Sequence, residues 1–290
     1  MSRSRAKLRD GSGLRNWSAP STPSIAPIAV KVSLQAEMDS LVQERLDLHA
    51  QLFEAAQIQR KLSGPRGLRC GSMDFASEVF AARYLSGDFA VLSQNGSKVL
   101  ATLGDIAGKG FAAGMWFTNL AALMQCYGHP DSDPAEIVSE INRHLCYLRP
   151  TAPFVTAFLA QVDCKAGKVT YANAGHFPPL LLHADGRTEI LESGGPLLGA
   201  VADANFESGH VVLDAGDTLV AYSDGVLECR NPAGEEFGSD RLLAALHQAR
   251  QRSATATLMT LLAVVQDFAN GNPPTDDMSL TVIQRNPEEF

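Results

Sequence analysis

Cysteine is sparse in this sequence, and long apolar runs are missing. The five cysteines, Cys70, Cys126, Cys146, Cys164 and Cys229, are odd in number and far apart. No pair has zinc-type spacing, and the set does not form a disulfide framework. It reads as reduced thiols in a cytoplasmic protein. No apolar stretch approaches the ~18–20 residues that span a bilayer. Arg3, Arg5, Lys7 and Arg9 lie near the start, but no apolar segment follows them, so a signal peptide is not expected. Basic residues are also in the minority, with 24 Lys and Arg against 32 Asp and Glu, for a net charge of -8. That balance argues against a nucleic-acid partner held by phosphate contacts. It suits a cation-binding enzyme without establishing one.

What is present divides into three stretches. Residues 1–28 are polar, with Gly, Ser and Pro throughout, the composition of a disordered segment. Residues 29–63 read as a helical linker. Leu34, Leu41, Leu48, Ala55 and Leu62 recur every seventh position, and Met38 and Leu52 fill the seam between them. Arg45 and Gln59 interrupt it. About four heptads suffice for a modest coiled coil, so a homodimer through this helix is expected; the alternative is one amphipathic helix lying on its own domain. Residues 64–286 read as a globular domain. Val79, Ala81, Arg83 and Leu85 alternate like a strand before Gly87-Asp88. Phe89–Ser93 and Lys98–Leu103 flank Asn95-Gly96, a hairpin turn signal. Helices follow at Phe111–Tyr127 and after Asp133-Pro134, then strands from Phe154 to Ser223, helices at Asp240–Arg250 and Thr255–Phe268, and a last strand at Met278–Gln284. Short turns between successive strands imply antiparallel pairing, hence an α+β domain with helices covering the sheet.

Acidic residues recur in one local setting. Asp88 lies in "SGDF", Asp105 in "LGDIAGKG", Asp224 in "YSDGV", and Asp276 and Asp277 in "TDDMSL". Each sits at or beside a strand end, near glycine or another turn-forming residue. A carboxylate there projects from a rigid element into a cleft. Mg²⁺ and Mn²⁺ are hard cations that favour oxygen ligands, and clustered carboxylates repel one another unless a cation joins them. Taken singly, each aspartate more often caps a turn. "GDIAGKG" lacks the full phosphate-loop pattern, so a nucleotide site is not supported.

Taken in order, the segments are far more specific. "AAQIQRKL", "SGDF", "LGDIAGKGFAAGM", "FVTAFLAQVD", "YANAGHFPPLLL", "GGPLLG", "GDTLVAYSDGVLECRNPAGEEFG" and "DDMSL" resemble the PPM (type 2C-like) Ser/Thr protein phosphatases. The likeness is to the bacterial branch of the sporulation stage II phosphatase and the RsbU-like regulators, and it covers about Ala55 to Arg285. It implies an antiparallel β-sandwich flanked by helices, an α-β-β-α fold preceded by the N-terminal helix. It implies two Mn²⁺ or Mg²⁺ ions and hydrolysis of phosphoserine or phosphothreonine by a metal-activated water. Asp105 would bridge both ions, with the Ile106 carbonyl beside it. Asp224 and Asp276 would hold the first ion, with Asp277 next to them, and Asp88 would support the second. Asp105 and Asp224 are the catalytic candidates.

The resemblance also implies a phosphorylated anti-sigma-factor antagonist of STAS type as substrate, in a partner-switching circuit, with input from an upstream activator or from the helix. One departure stands out. Many relatives carry a second aspartate three residues after the first, where this chain has Val91, and Ser86 replaces a glycine. That motivates a rival expectation, a pseudophosphatase or phosphoprotein-binding scaffold. His176 and Lys109 are weaker candidates, the first expected to serve structure and the second to meet phosphate or solvent. Ser223 has no evident His partner, so a nucleophilic serine is not expected.

Overall fold

The computed structural model describes residues 26–129, 131–249 and 253–287. Contacts divide the chain into two units, Met1–His49 and Ala50–Phe290. Helix α1 (Ala26–Leu62) begins in the first and ends in the second. Residues 1–25 of the polar segment lie outside the described residues, whereas Ala26 and Pro27 already belong to α1. In the first unit the seam residues Leu34, Met38, Leu41 and Leu48 are exposed. Among the described residues, no helix is long and apolar enough to cross a membrane.

The second unit continues with β1 (Gly67–Cys70), β2 (Met73–Phe80), β3 (Asp88–Asn95), β4 (Lys98–Ile106), α2 (Phe111–Tyr127), α3 (Pro134–Tyr147), β5 (Val155–Asp163) and β6 (Lys168–Ala174). Then come β7 (Leu180–Leu182), β8 (Thr188–Ile190), β9 (Gly194–Gly195), β10 (Gly209–Val212), β11 (Thr218–Tyr222), α4 (Asp224–Leu227), α5 (Gly238–Gln248), α6 (Ala254–Ala269) and β12 (Met278–Arg285). One sheet has the order β1-β2-β12-β11-β7-β8, and the other β10-β6-β5-β4-β3, with β9 parallel to β6.

Three apolar clusters define the layers. Residues from both sheets, among them Phe75, Leu92, Leu103, Phe158, Leu181 and Ile283, fill the space between them. A second cluster joins β11 and β12 to α5 and α6, and a third joins β4, β5 and β6 to α2 and α3. The result is the α-β-β-α sandwich that the motif resemblance implies. Burial on both faces explains why β7 and β11 read as continuous apolar runs rather than alternating ones.

Local chemistry accounts for the elements read correctly. Asp133 caps α3 by accepting the Ala135 N–H at 2.9 Å, and Pro134 opens the helix, where its missing N–H costs nothing. Gly96 takes a positive φ of 59° at the tip of the β3–β4 hairpin. Residues 81–87 differ from expectation. Their alternation reads as a strand, yet β2 ends at Phe80. The amides of Ala82 and Gly87 donate to the Asp277 carboxylate, not to a neighbouring strand.

Phe117 is fully buried on α2, its ring centroid 6.0 Å from that of Phe89 under the β3–β4 hairpin. Phe117→Ala is expected to cost about 3–5 kcal/mol. An unchanged urea midpoint would show that α2 contributes little to this core.

Candidate metal centre

The aspartates are collected by strand ends from both sheets. Asp88 opens β3 and Asp105 lies near the end of β4, directly opposite it in the ladder. Directly paired residues point to the same face, here the inner one shared with Ala90, Leu92 and Leu103. From the other sheet, Asp224 follows β11, and Asp276 and Asp277 precede β12, its antiparallel neighbour. Carboxylate oxygens of Asp88, Asp105 and Asp224 all lie within 4.8 Å of one another.

The second sheet reaches the centre through a close approach at Gly225. A Cβ there would stand 1.9 Å from the Asp277 carbonyl oxygen. Ser223 pins the same junction: its backbone N–H donates to the Ser279 carbonyl, and its Oγ accepts the Ser279 N–H at 2.9 Å. The hydroxyl thus helps to join β11 to β12 beside Asp224.

Electrostatics mark the trio as poised for a cation. Asp88 is 3% exposed, and its Oδ2 has no hydrogen-bond partner. Burial pushes its carboxyl well above the ordinary range; the Ser223 hydroxyl opposes this and the Asp105 charge adds to it. Burial, reinforced by Asp224, Asp276 and Asp277, raises Asp105 from 3.8 to about 6. Asp224 is raised by burial, partly offset by the Gly225 N–H that its Oδ1 accepts at 2.8 Å. A divalent ion would remove this repulsion and satisfy the orphaned oxygen. Backbone oxygens converge as well. A Cβ on Gly87 would lie 3.1 Å from the Ile106 and Gly108 carbonyls and 3.2 Å from Asp105 Oδ1. The donor set is all oxygen, which fits Mn²⁺ or Mg²⁺ and not a soft metal.

The other candidates occupy distinct places. Asp276 lies at the rim, its Oδ2 2.5 Å from the exposed Lys109 ammonium and its Oδ1 accepting the Asp277 N–H. Asp277, expected beside the ligands, stands outside the trio because its side chain is already committed. Oδ1 accepts from Ala82 N–H at 2.7 Å, and Oδ2 accepts from Ser86 Oγ at 2.9 Å and Gly87 N–H at 2.7 Å. It staples the loop that carries Asp88. The departure at Ser86 thus adds a donor to Asp277. Val91 lies on the opposite face of β3 from Asp88, beside the α2–α3 core and across from Thr102. It takes nothing from the trio.

His176 is buried, its Nδ1 is 3.0 Å from Thr156 Oγ1, and its backbone N–H and carbonyl are both bound by the Asn173 amide. Burial pushes its pKa down to about 4, so the ring is neutral at physiological pH and serves structure. A cleft of about 1560 Å³, around Arg69, Cys70, Lys165 and Gln284, lies towards the hairpin end of β3 and β4. None of the trio lines it.

A two-sheet sandwich with helices outside and aspartates gathered at one end is the architecture of PP2C-type phosphatase domains. The SiaA PP2C domain of Pseudomonas aeruginosa superposes with a TM-score of 0.72 at 19% identity, covering 83% of this chain and 98% of that one. The PP2C domain with a regulatory fragment of SpoIIE from Bacillus subtilis gives 0.64 at 20% identity, covering 76% and 64%. Residues 95–286 match the stage II sporulation protein E (SpoIIE) profile, and the chain belongs to that family. Its relatives include phosphoserine phosphatase RsbU of Bacillus subtilis, 25% identical over 242 residues, 82% of this chain and 71% of RsbU. Protein IcfG of Synechocystis is 27% identical over 233 residues, 71% of this chain but only 37% of IcfG. The PPM-type resemblance carried by the motifs is borne out.

The raised Asp105 carboxyl makes a stability prediction. Its folded pKa of about 6 exceeds the unfolded value near 3.8, so the penalty on the fold is absent below 3.8, builds as pH rises from there to about 6, and is complete above it. Asp105→Asn is therefore expected to stabilise the metal-free protein at pH 8 by about 1–2 kcal/mol after solvent screening, or roughly 2–6 °C. The gap between variant and wild type should close as pH falls below 6. Mn²⁺ should raise the melting temperature of the wild type far more than that of Asp105→Asn. Melting curves from about pH 4 to 8 check this, and a gap independent of pH would contradict it.

Proposed function

We propose that the chain is a metal-dependent protein phosphatase acting on phosphoserine or phosphothreonine. The meeting of Asp88, Asp105 and Asp224 within 4.8 Å, with one buried oxygen unpartnered, carries this reading. The names of RsbU and RsbP of Bacillus subtilis, both phosphoserine phosphatases, support it. The chemistry supplied by bound Mn²⁺ or Mg²⁺, two ions in our reading, is activation of water and neutralisation of phosphate charge in an in-line displacement.

The protein's own groups prepare that step. Asp105, fixed in the ladder opposite Asp88, would hold the metal, and the Ile106 carbonyl would add a neutral oxygen. Asp224 would hold one ion with Asp276, once the Lys109 ammonium leaves the Asp276 carboxylate. Lys109 is exposed and would then be free to meet the substrate phosphate. Asp88, the most deeply buried of the trio, would complete the second position. In this reading the attacking group is a water rather than a side chain, so no covalent enzyme intermediate forms. The scaffold alternative rested on Val91 and Ser86; with Val91 on the far face and Ser86 bound to Asp277, it loses its structural motive.

The finer reading concerns partners. The substrate class we favour is a phosphorylated STAS-type anti-sigma-factor antagonist, with an upstream activator setting activity. The exposed seam of Leu34, Leu41 and Leu48 favours homodimerisation through α1.

Mn²⁺-dependent phosphate release from p-nitrophenyl phosphate and from a phosphoserine STAS protein tests the enzyme. Asp224→Ala should lower turnover on the order of a hundredfold or more. No metal-dependent turnover on either substrate, with the fold intact, would overturn the phosphatase; full turnover in Asp224→Ala would overturn the assignment of the centre.

Sedimentation tests the dimer separately. Removing residues 1–49 should shift the protein to monomer, and a dimer that survives the deletion would refute the coiled coil.

A further inference from the structure

The end of the sandwich away from the aspartates brings together two thiols from different sheets. Cys70 is the last residue of β1, the edge strand of one sheet, and Cys164 follows β5, an inner strand of the other. Both belong to the apolar layer between the sheets. Both also bind the turn at the tip of the β3–β4 hairpin. The Cys70 thiol donates to the Gly96 carbonyl at 3.8 Å, and the Cys164 N–H donates to the Ser97 carbonyl at 2.9 Å. Beyond β1 the chain turns at Gly71, where a Cβ would stand 3.6 Å from the Cys164 carbonyl oxygen. The two main chains therefore approach closely, as a disulfide requires.

Thiols sealed in an apolar core are ordinarily inert. This pair differs in two respects. Burial, then a hydrogen bond and the charge of Cys70, push the Cys164 thiol up, so it keeps its proton beside a sulfur that acts on it directly. Both cysteines also line the cleft of about 1560 Å³ bounded by Arg69, Ser97 and Lys165, so a small oxidant reaches them although they are only 7% and 3% exposed. The other thiols are placed differently. Cys126 is exposed on α2, Cys146 lies against Asn142 on α3, and Cys229 belongs to the cluster around α5 and α6.

We infer that Cys70 and Cys164 are an oxidation site, a dithiol that hydrogen peroxide entering the cleft converts into a stabilising disulfide between the two sheets. Cys70 supplies the attacking sulfur. Its thiolate takes one peroxide oxygen as the O–O bond breaks, leaving a sulfenic acid, and the other oxygen departs with the thiol proton as water. The Cys164 sulfur then attacks the sulfenic sulfur. The S–O bond breaks, and the departing hydroxide takes the Cys164 proton as a second water. The two thiols lose two electrons in all, and the peroxide gains them. The new bond closes a loop of roughly ninety residues and so restricts the unfolded chain. Asp88 and Asp105 lie at the far ends of β3 and β4 from this turn, so the pair stands or falls independently of the phosphatase reading.

The test uses the full chain as wild type, Cys70→Ala, Cys164→Ala and Cys126→Ala. Each folded protein is treated with hydrogen peroxide, free thiols are blocked with iodoacetamide, and proteolytic fragments are identified by mass spectrometry. Wild type should yield a fragment joining Cys70 to Cys164 that dithiothreitol separates. Its melting temperature should rise by about 5–15 °C on oxidation and return on reduction. Cys126→Ala should behave as wild type does, whereas Cys70→Ala and Cys164→Ala should show neither change. The joined fragment is read in wild type and so does not depend on either alanine variant folding. Its absence from peroxide-treated, folded wild type would overturn the inference, and so would linkage to Cys126, Cys146 or Cys229 instead. A fragment formed only after unfolding in urea would overturn it by showing that the thiols are sealed. A joined fragment without a rise in melting temperature would overturn the stabilising bond between the sheets.

Discussion

The desolvation and mutual repulsion of one buried and two half-buried carboxylates are the constraint on which this domain turns. Asp88, Asp105 and Asp224 are brought within 4.8 Å in surroundings that disfavour their charge. Left to themselves, such groups separate or take up protons. The sandwich prevents separation because each aspartate is anchored to a strand end, and the strands are locked by ladder hydrogen bonds and an apolar core between the sheets. The energy of packing is thereby set against the energy of charge, and a cation is the natural means of reconciling them.

The anchoring is layered. Asp88 and Asp105 share a ladder and therefore a face. Asp224 arrives from the other sheet by way of Gly225, where only a missing side chain allows the approach to the Asp277 backbone. Asp277 contributes by being spent: its oxygens hold the 82–87 loop instead of facing the centre. Ser223 joins β11 to β12 at the same level. Charged and polar residues that look alike in sequence thus divide into those that face the centre and those that hold it open.

Much of the fold was legible. The Asn95-Gly96 hairpin, the Asp133-Pro134 helix start and the two-sided apolar runs each rest on chemistry within a few residues, so they survive unchanged in the tertiary structure. The loop at 81–87 did not. Its alternating pattern is a valid strand signal, but its amides meet a carboxylate some 190 residues later in the chain, beyond any local rule. The short helix after Ser223 was missed for a related reason: its four residues turn to seat Asp224 and carry no helical periodicity.

At the centre, the sequence by itself determined the kind of chemistry: aspartates beside turns at strand ends, in an order shared with a phosphatase family, and an all-oxygen donor set. Only the tertiary structure decided which aspartates meet. Ladder register sets Asp88 opposite Asp105, while the Asp277 carboxylate accepts from three donors of the 82–87 loop. Strand pleating turns Val91 to the face of β3 opposite Asp88. Sequence spacing records which groups are available; distances between groups far apart in the chain are fixed by register and sheet packing, and those alone decide which carboxylates meet.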